Sequence, residues 1–262
     1  MPTYCVSDLH LCDRGPRDNF CYGGREERFC RFLDLVESNH GRLLILGDLF
    51  DWWQVPVGSA IVAYRSLLDR LAALGATWIV GNHDNALAPL IGTELIPNHP
   101  LLRTACRPFE EIISGRKIAY LHGHEADPYC CDPNPGTGEI TAIISGMLED
   151  RNKGPFRNHH AVEDEFVGTL EGALTLWRKL TFQHGRQEEM VDGVEKYRQN
   201  QKAAVVVYGH THAPGHIGDY HFNTGCWARE HDTFVCISDG GQVSIWEWLP
   251  DRGPVPFDVK LR

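Results

Sequence analysis

The chain has 262 residues and 29.6 kDa, with 42% hydrophobic and 10% aromatic residues, enough for a sizeable core in one large domain. A formal net charge of −10, with 14 histidines counted neutral, argues against a surface that holds long nucleic acid by its phosphates. The nine cysteines are scattered and include no CxxC. They fit free thiols in a reducing compartment rather than a disulfide frame or a structural zinc site. "MPTYCVSDLH" lacks a basic start followed by an apolar stretch, and no run of about 18 apolar residues could span a membrane, so the expected location is cytoplasmic.

In chain order, the first apolar run is "TYCVSDLH", which ends in Asp8 and His10. Gly23-Gly24 lacks the following Lys-Ser/Thr of a phosphate loop and reads as a turn before a helix beginning near Arg25. In that helix Phe29, Phe32, Leu33 and Val36 fall at i, i+3, i+4 and i+7. "LLILGDLFD" follows and delivers Asp48 and Asp51. Trp52-Trp53 comes directly after; Trp52 reads either as a substrate wall or as closure of the core. Ile61, Leu67, Leu68, Leu71 and Leu74 mark a second amphipathic helix that ends near Gly75. Three more apolar runs end in Asn82-His83-Asp84, in His122 and His124, and in His210 and His212.

Residues 125–202 break this alternation and read as a helical insertion, or lid, within a single domain spanning 1–262. Its expected stripes are Ile140, Ile143, Ile144 and Met147; then Val162, Phe166, Leu170, Leu174 and Trp177; then Met190, Val194 and Tyr197. The basic stretch Arg151–His160 reads either as a grip for an anionic part of a substrate, with Arg157 its forked donor, or as a solvated loop. The insertion is also the candidate for any peripheral membrane contact. After His212, "YHFNTG", "TFVCISD" and "QVSIWEWL" read as strands, with Asp239–Gly241 a hairpin turn.

Strand, helix, strand at this spacing predicts βαβ units and a mainly parallel sheet, with the loops beyond the strand C-termini gathered in one crevice. Five polar motifs spread over some 200 residues should therefore meet. Carboxylates, an amide and imidazoles without thiolate suit Mn²⁺ first, or Fe or Zn²⁺. The donors are too many for one tetrahedral ion and suit two, about 3.5–4 Å apart.

"SDLHL", "GDLFDWW", "GNHD", "HGHEAD" and "GHTHAP", in that order, resemble the calcineurin-like metallophosphoesterase superfamily. The resemblance implies a four-layer α/β/β/α sandwich with a dinuclear metal centre. By motif, Asp8, His10 and His212 would bind one ion, Asn82, His122 and His210 the other, and Asp48 would bridge them. His83 would be the catalytic histidine oriented by Asp51, and His124 would line the pocket. The implied reaction is attack of a bridging hydroxide on a phosphodiester or pyrophosphate bond of a small phosphorylated substrate. Phosphomonoesters, nucleic acid and a non-catalytic scaffold are the alternatives. Together with the late "FNTGCW", the motifs look closest to the UDP-2,3-diacylglucosamine hydrolase-like group. Proven members of that group tend to have Arg where this chain has His83 and Glu where it has Asp51, so the group guides architecture rather than substrate.

Overall fold

The computed structural model describes residues 1–94, 98–127 and 185–261. Four apolar runs form β1 (Thr3–Val6), β2 (Arg42–Leu46), β3 (Thr77–Ile79) and β4 (Ala105–Cys106), which lie side by side and parallel. Antiparallel β10 (Thr233–Ile237), β11 (Val243–Leu249) and β12 (Gly253–Pro256) extend this sheet to seven strands, in the order β12-β11-β10-β1-β2-β3-β4. The β10–β11 hairpin turns at Asp239–Gly241, with Gly241 at φ 75°. A second sheet of five strands has the order β5-β6-β7-β9-β8, from Phe109–Ile113, Arg116–Tyr120, Val205–Tyr208, His221–Asn223 and Gly215–Ile217 respectively. Within it β6, β7 and β9 are parallel.

Side-chain alternation explains why two sheets form. On β2, Leu44 and Leu46 join Cys5, Ile79, Ile118, Tyr120, Val205 and Val207 in a core between the sheets. Leu43 and Ile45 face the other way, with Tyr4, Val6 and Trp78, onto helices. Those helices are α1 (Arg25–Ser38), which buries Phe29, Phe32, Leu33 and Val36, and α3 (Arg65–Ala73), which buries Leu67, Leu68 and Leu71. Beyond the second sheet, Val206 and Tyr208 pack on Met190 and Val194 of α5 (Gly185–Asn200). The result is four layers, α/β/β/α. Strands buried on both faces read as continuous apolar runs, each fully buried Val, Leu or Ile contributing ~1.5–3 kcal/mol.

Two expectations change. The four-layer sandwich implied by the resemblance holds, but the mainly parallel sheet read from spacing alone is two mixed sheets, because a doubly buried strand carries no sign of which layer covers it. The single helix over Ile61–Leu74 is two, α2 (Val57–Ala63) and α3, broken at Tyr64 (φ −111°, ψ 19°). Tyr64 turns inward, its hydroxyl 2.7 Å from Asp18 Oδ2 and its ring against Phe20. A short helix α4 (Pro100–Arg103) precedes β4.

No helix among the described residues is long and apolar enough to cross a membrane. The expected stripes from Ile140 to Trp177, the Arg151–His160 stretch and Arg157 lie outside the described residues.

Candidate metal centre at the strand ends

The five motifs sit just past β1, β2, β3, β6 and β7. Backbone bonds tie the loops together: Asp8 N–H to Gly47 O (3.1 Å), His10 N–H to Asp48 O (3.0 Å) and Gly209 N–H to His122 O (2.8 Å). Asp8, His10, Asp48, His210 and His212 have φ between 50° and 70°, and are five of the nine non-glycine residues with positive φ among those described. A left-handed backbone costs a residue with a Cβ about 1–3 kcal/mol when the surroundings force it, and such residues cluster at functional sites. Gly209 is needed for close approach, since a Cβ there would overlap Ser7 Oγ and stand 2.6 Å from Asp8 Oδ2.

The two oxygens of Asp8, which is fully buried, differ in kind. Oδ2 accepts from Ser7 Oγ and from the His210 N–H (3.0 Å). Oδ1 has no hydrogen-bond partner and faces His212 Nε2 at 3.1 Å and His10 Nε2 at 3.7 Å. The two imidazole Nε2 atoms are themselves 3.0 Å apart. An orphaned carboxylate oxygen and two ring nitrogens aimed at one point fit a cation better than they fit each other.

The neighbouring cluster repeats this test. His122 Nδ1 lies 2.7 Å from Leu46 O, which assigns it the ring proton and leaves Nε2 a lone pair. That Nε2 stands 3.0 Å from Asn82 Oδ1 and 3.2 Å from Asp48 Oδ2. With the ring neutral, three acceptors converge, and a divalent ion satisfies all three. The ligand atoms of Asp48, His122 and His210 lie within 4.8 Å of one another. Asp48 reaches toward both clusters; its other oxygen, Oδ1, accepts the His83 N–H at 2.9 Å.

His83 Nδ1 is 2.8 Å from Asp51 Oδ1, and its Nε2 points back toward Asp48 Oδ2 at 3.9 Å. Burial alone would lower its pKa, but the charges of Asp51 and Asp48 outweigh that and raise it. The His83 ring lies 3.9 Å from the Trp53 ring, tilted by 32°, and edge-on to His10 at 4.6 Å. Trp52 goes elsewhere: it stacks on Phe50 (5.0 Å, 14°) and packs on the core near Trp78. Of the tryptophan pair, Trp53 is the one beside the site.

His124 is held neutral, with burial pushing its pKa down to about 4. With Val80, Asn85, Arg107 and Glu125 it lines a cleft of ≈ 210 Å³. One partner resists simple ligation. Arg229 Nε donates to His212 Nδ1 at 2.9 Å, which keeps a neutral ring's proton on Nε2. Ligation through Nε2 therefore requires the exposed Arg229 side chain to release Nδ1.

The sequence did not mark Cys226 and Thr224 as supports. Cys226 donates to Asp8 O at 3.0 Å, and burial pushes its thiol pKa up, so it braces the strained Asp8 backbone as a thiol. Thr224 pairs with Ser7 Oγ at 2.6 Å. Their signal was "FNTGCW", which has no metal-ligand spacing. Asp84, fully buried, accepts from Gly81 N–H (2.6 Å), Leu49 N–H (2.8 Å) and Phe50 N–H (3.4 Å), joining the second and third loops. Burial, and then the nearby charge of Asp48, pushes its carboxyl up to about 7. Asp84→Ala orphans these donors and is expected to cost about 1–3 kcal/mol of stability. A urea midpoint equal to that of the unchanged protein would contradict this role.

Two sheets sandwiched between helices, with carboxylate, amide and imidazole donors converging at five strand ends, define a metal-centre protein of the α/β/β/α class. A family model described as calcineurin-like phosphoesterase matches residues 1–214, and the chain belongs to that family, which implies bound divalent metal ions. A UDP-2,3-diacylglucosamine hydrolase of Serratia proteamaculans (strain 568) is 30% identical over 141 residues, 50% of each chain. That of Histophilus somni (strain 2336) is 27% identical over 138 residues, 50% of this chain and 51% of its own. The chain thus spans about half the length of the curated relatives it matches. Among solved structures, a dimetal phosphatase from Danio rerio is 12% identical over 98% of this chain and 97% of its own, with a TM-score of 0.48. Zinc-complexed Vps29 from Entamoeba histolytica is 14% identical over 99% and 98%, with a TM-score of 0.46. Likenesses this distant carry no argument about the site.

Proposed function

We propose that this chain is a phosphoesterase with two divalent metal ions, manganese first among the candidates, acting on a phosphodiester or pyrophosphate bond of a small substrate. The observation that carries the reading is the pair of convergences, the orphaned Asp8 Oδ1 with His10 and His212 and Asn82 with His122, flanking Asp48 and standing next to the Asp51–His83 pair. Asp8, His10 and His212 would hold one ion, Asn82, His122 and His210 the other, and Asp48 both. When bound, the ions supply charge for the phosphoryl oxygens and acidify the attacking water.

The chain's own residues do the rest. Asp51 holds the proton of His83 on Nδ1 and stabilises its charged form, leaving Nε2 to face the reacting phosphate and pass a proton to the departing oxygen. Trp53 walls one side of that ring and limits its rotation. His124, kept neutral, offers a hydrogen bond to the substrate without adding charge that would compete with the ions.

The names of the curated relatives support a nucleotide-linked, pyrophosphate-containing substrate. The test is a comparison of kcat/KM for Mn²⁺-reconstituted protein on nucleotide diphosphate sugars, nitrophenyl phosphodiesters, phosphomonoesters and single-stranded nucleic acid. The diester or pyrophosphate classes should lead. A preference for monoesters, or no turnover of any class, would overturn the proposal.

A further inference from the structure

Among the four histidines proposed as ligands, His210 is the one whose ring hydrogen-bonds a carboxylate that is not itself placed as a ligand. Its Nε2 lies 2.9 Å from Asp127 Oδ2, and Asp127 is only 1% exposed. Every neutral imidazole has one proton, and a carboxylate at one nitrogen keeps it there. The other nitrogen, Nδ1, is then left with the lone pair; the His210 ring stands 5.1 Å from that of His122, and one of its nitrogens lies within 4.8 Å of the ligand atoms of Asp48 and His122. From this geometry we infer that Asp127 is a positioning residue for the second metal site, acting through His210. It directs Nδ1 at the ion and raises the ring's donor strength. The inference rests on the proposed dinuclear centre.

The carboxylate is held there by main chain and by packing. Asp127 N–H donates to His124 O at 3.1 Å, ending the short 3-10 turn His124–Ala126, and Ala126 N–H donates to Gly123 O at 3.0 Å. Helix α5 closes over this turn at Gly193, where a Cβ would stand 2.7 Å from Ala126 O. Met190 Cε occupies the side of Gly123 in the same way, 2.7 Å from where a Cβ would be. The same turn therefore carries the ligand His122 at its start and the partner of His210 at its end. Helix α5 packs against this turn through Met190 and Gly193, which ties the helix to the metal site.

The full chain, stripped of metal and titrated with Mn²⁺ by calorimetry, tests this. The unsubstituted protein should bind two ions. Asp127→Ala should weaken one of the two by about 10–100-fold and leave the other unchanged. Asp127→Asn retains an oxygen that accepts from Nε2–H but lacks the charge, and should fall between. Imidazole ¹H–¹⁵N correlations of the zinc-loaded proteins give a second reading, and answer the question even where Asp127→Ala is too unstable to titrate. With zinc on Nδ1 the proton of His210 stays on Nε2 in every variant, and its resonance should lie downfield against the carboxylate in the unsubstituted protein and move upfield in both Asp127 variants. Two ions bound with unchanged affinities in Asp127→Ala, or an unchanged His210 Nε2–H shift in Asp127→Asn, would overturn the role of Asp127 alone. Failure of the unsubstituted protein to bind any Mn²⁺ would overturn the metal centre and this inference with it.

Discussion

His83→Ala should retain both metal ions and lose about 10²–10⁴-fold in kcat, the range expected for removal of a positioned proton donor. The retention follows from which part of His83 touches Asp48. The main-chain N–H, not the ring, donates to Asp48 Oδ1 at 2.9 Å, and alanine keeps it. The ring's hydrogen-bond partner is Asp51 and its stacking neighbour Trp53, neither placed as a ligand, while Asp48 Oδ2 stands 3.9 Å from Nε2, beyond hydrogen-bond reach. The loss should fall on kcat more than on KM, because the proton is passed only as the leaving oxygen departs. Asp51→Asn should follow in the same direction with a smaller loss, since the ring stays but its orientation and charge support weaken. Elemental analysis beside steady-state kinetics checks both. Loss of an ion from His83→Ala would mean the ring is a ligand, which its 4.6 Å contact with His10 leaves room for.

Asp48→Ala should go further and abolish metal-dependent hydrolysis. Its fall should exceed the roughly 10²–10³-fold that removal of a single preorganised charge-stabilising group costs. Asp48 is 1% exposed, and its two oxygens do different work. Oδ1 fixes the His83 loop, whereas Oδ2 faces both His122 at 3.2 Å and His83 at 3.9 Å. Alanine removes the charge that the two proposed ions would share and orphans the His83 N–H at once. Asp48→Asn separates these effects: the amide oxygen can still accept from His83 N–H while the charge is gone. Hydrolysis should be lost in both variants, and stability should be better kept in the amide. Turnover at the unsubstituted rate in either would remove Asp48 from the centre of the site.

The register of α1 was fully readable, since Phe29, Phe32, Leu33 and Val36 have only one way to share a helical face. The site was readable for a related reason. Parallel strands deliver their following loops to one edge, so polar residues at the ends of apolar runs must meet there, as Asp8, Asp48, Asn82, His122 and His210 do. What stayed hidden depends on contacts that no local period encodes. The apolar runs at β2 and β7 look alike, although they belong to different sheets. Strand β5, "FEEII", lies on a sheet edge with no face fully buried and left no apolar signature beside its partner β6. Tyr64 breaks a helix whose spacing looked continuous because a buried carboxylate, Asp18, draws its hydroxyl inward. Trp52 and Trp53 are adjacent and chemically identical, and only the turn after Asp51 decides which one meets His83. Asp127 and Cys226 act on the backbone or ring of another residue, so neither occupies a ligand position in any motif.

The most direct measurement is the number and placement of metal ions in the unsubstituted protein, by anomalous diffraction from crystals of Mn²⁺-reconstituted chain. Two peaks about 3.5–4 Å apart are expected. One should be held by Asp8, His10 and His212 and the other by Asn82, His122 and His210, with Asp48 touching both. A single ion, or ions outside these side chains, would contradict the dinuclear centre.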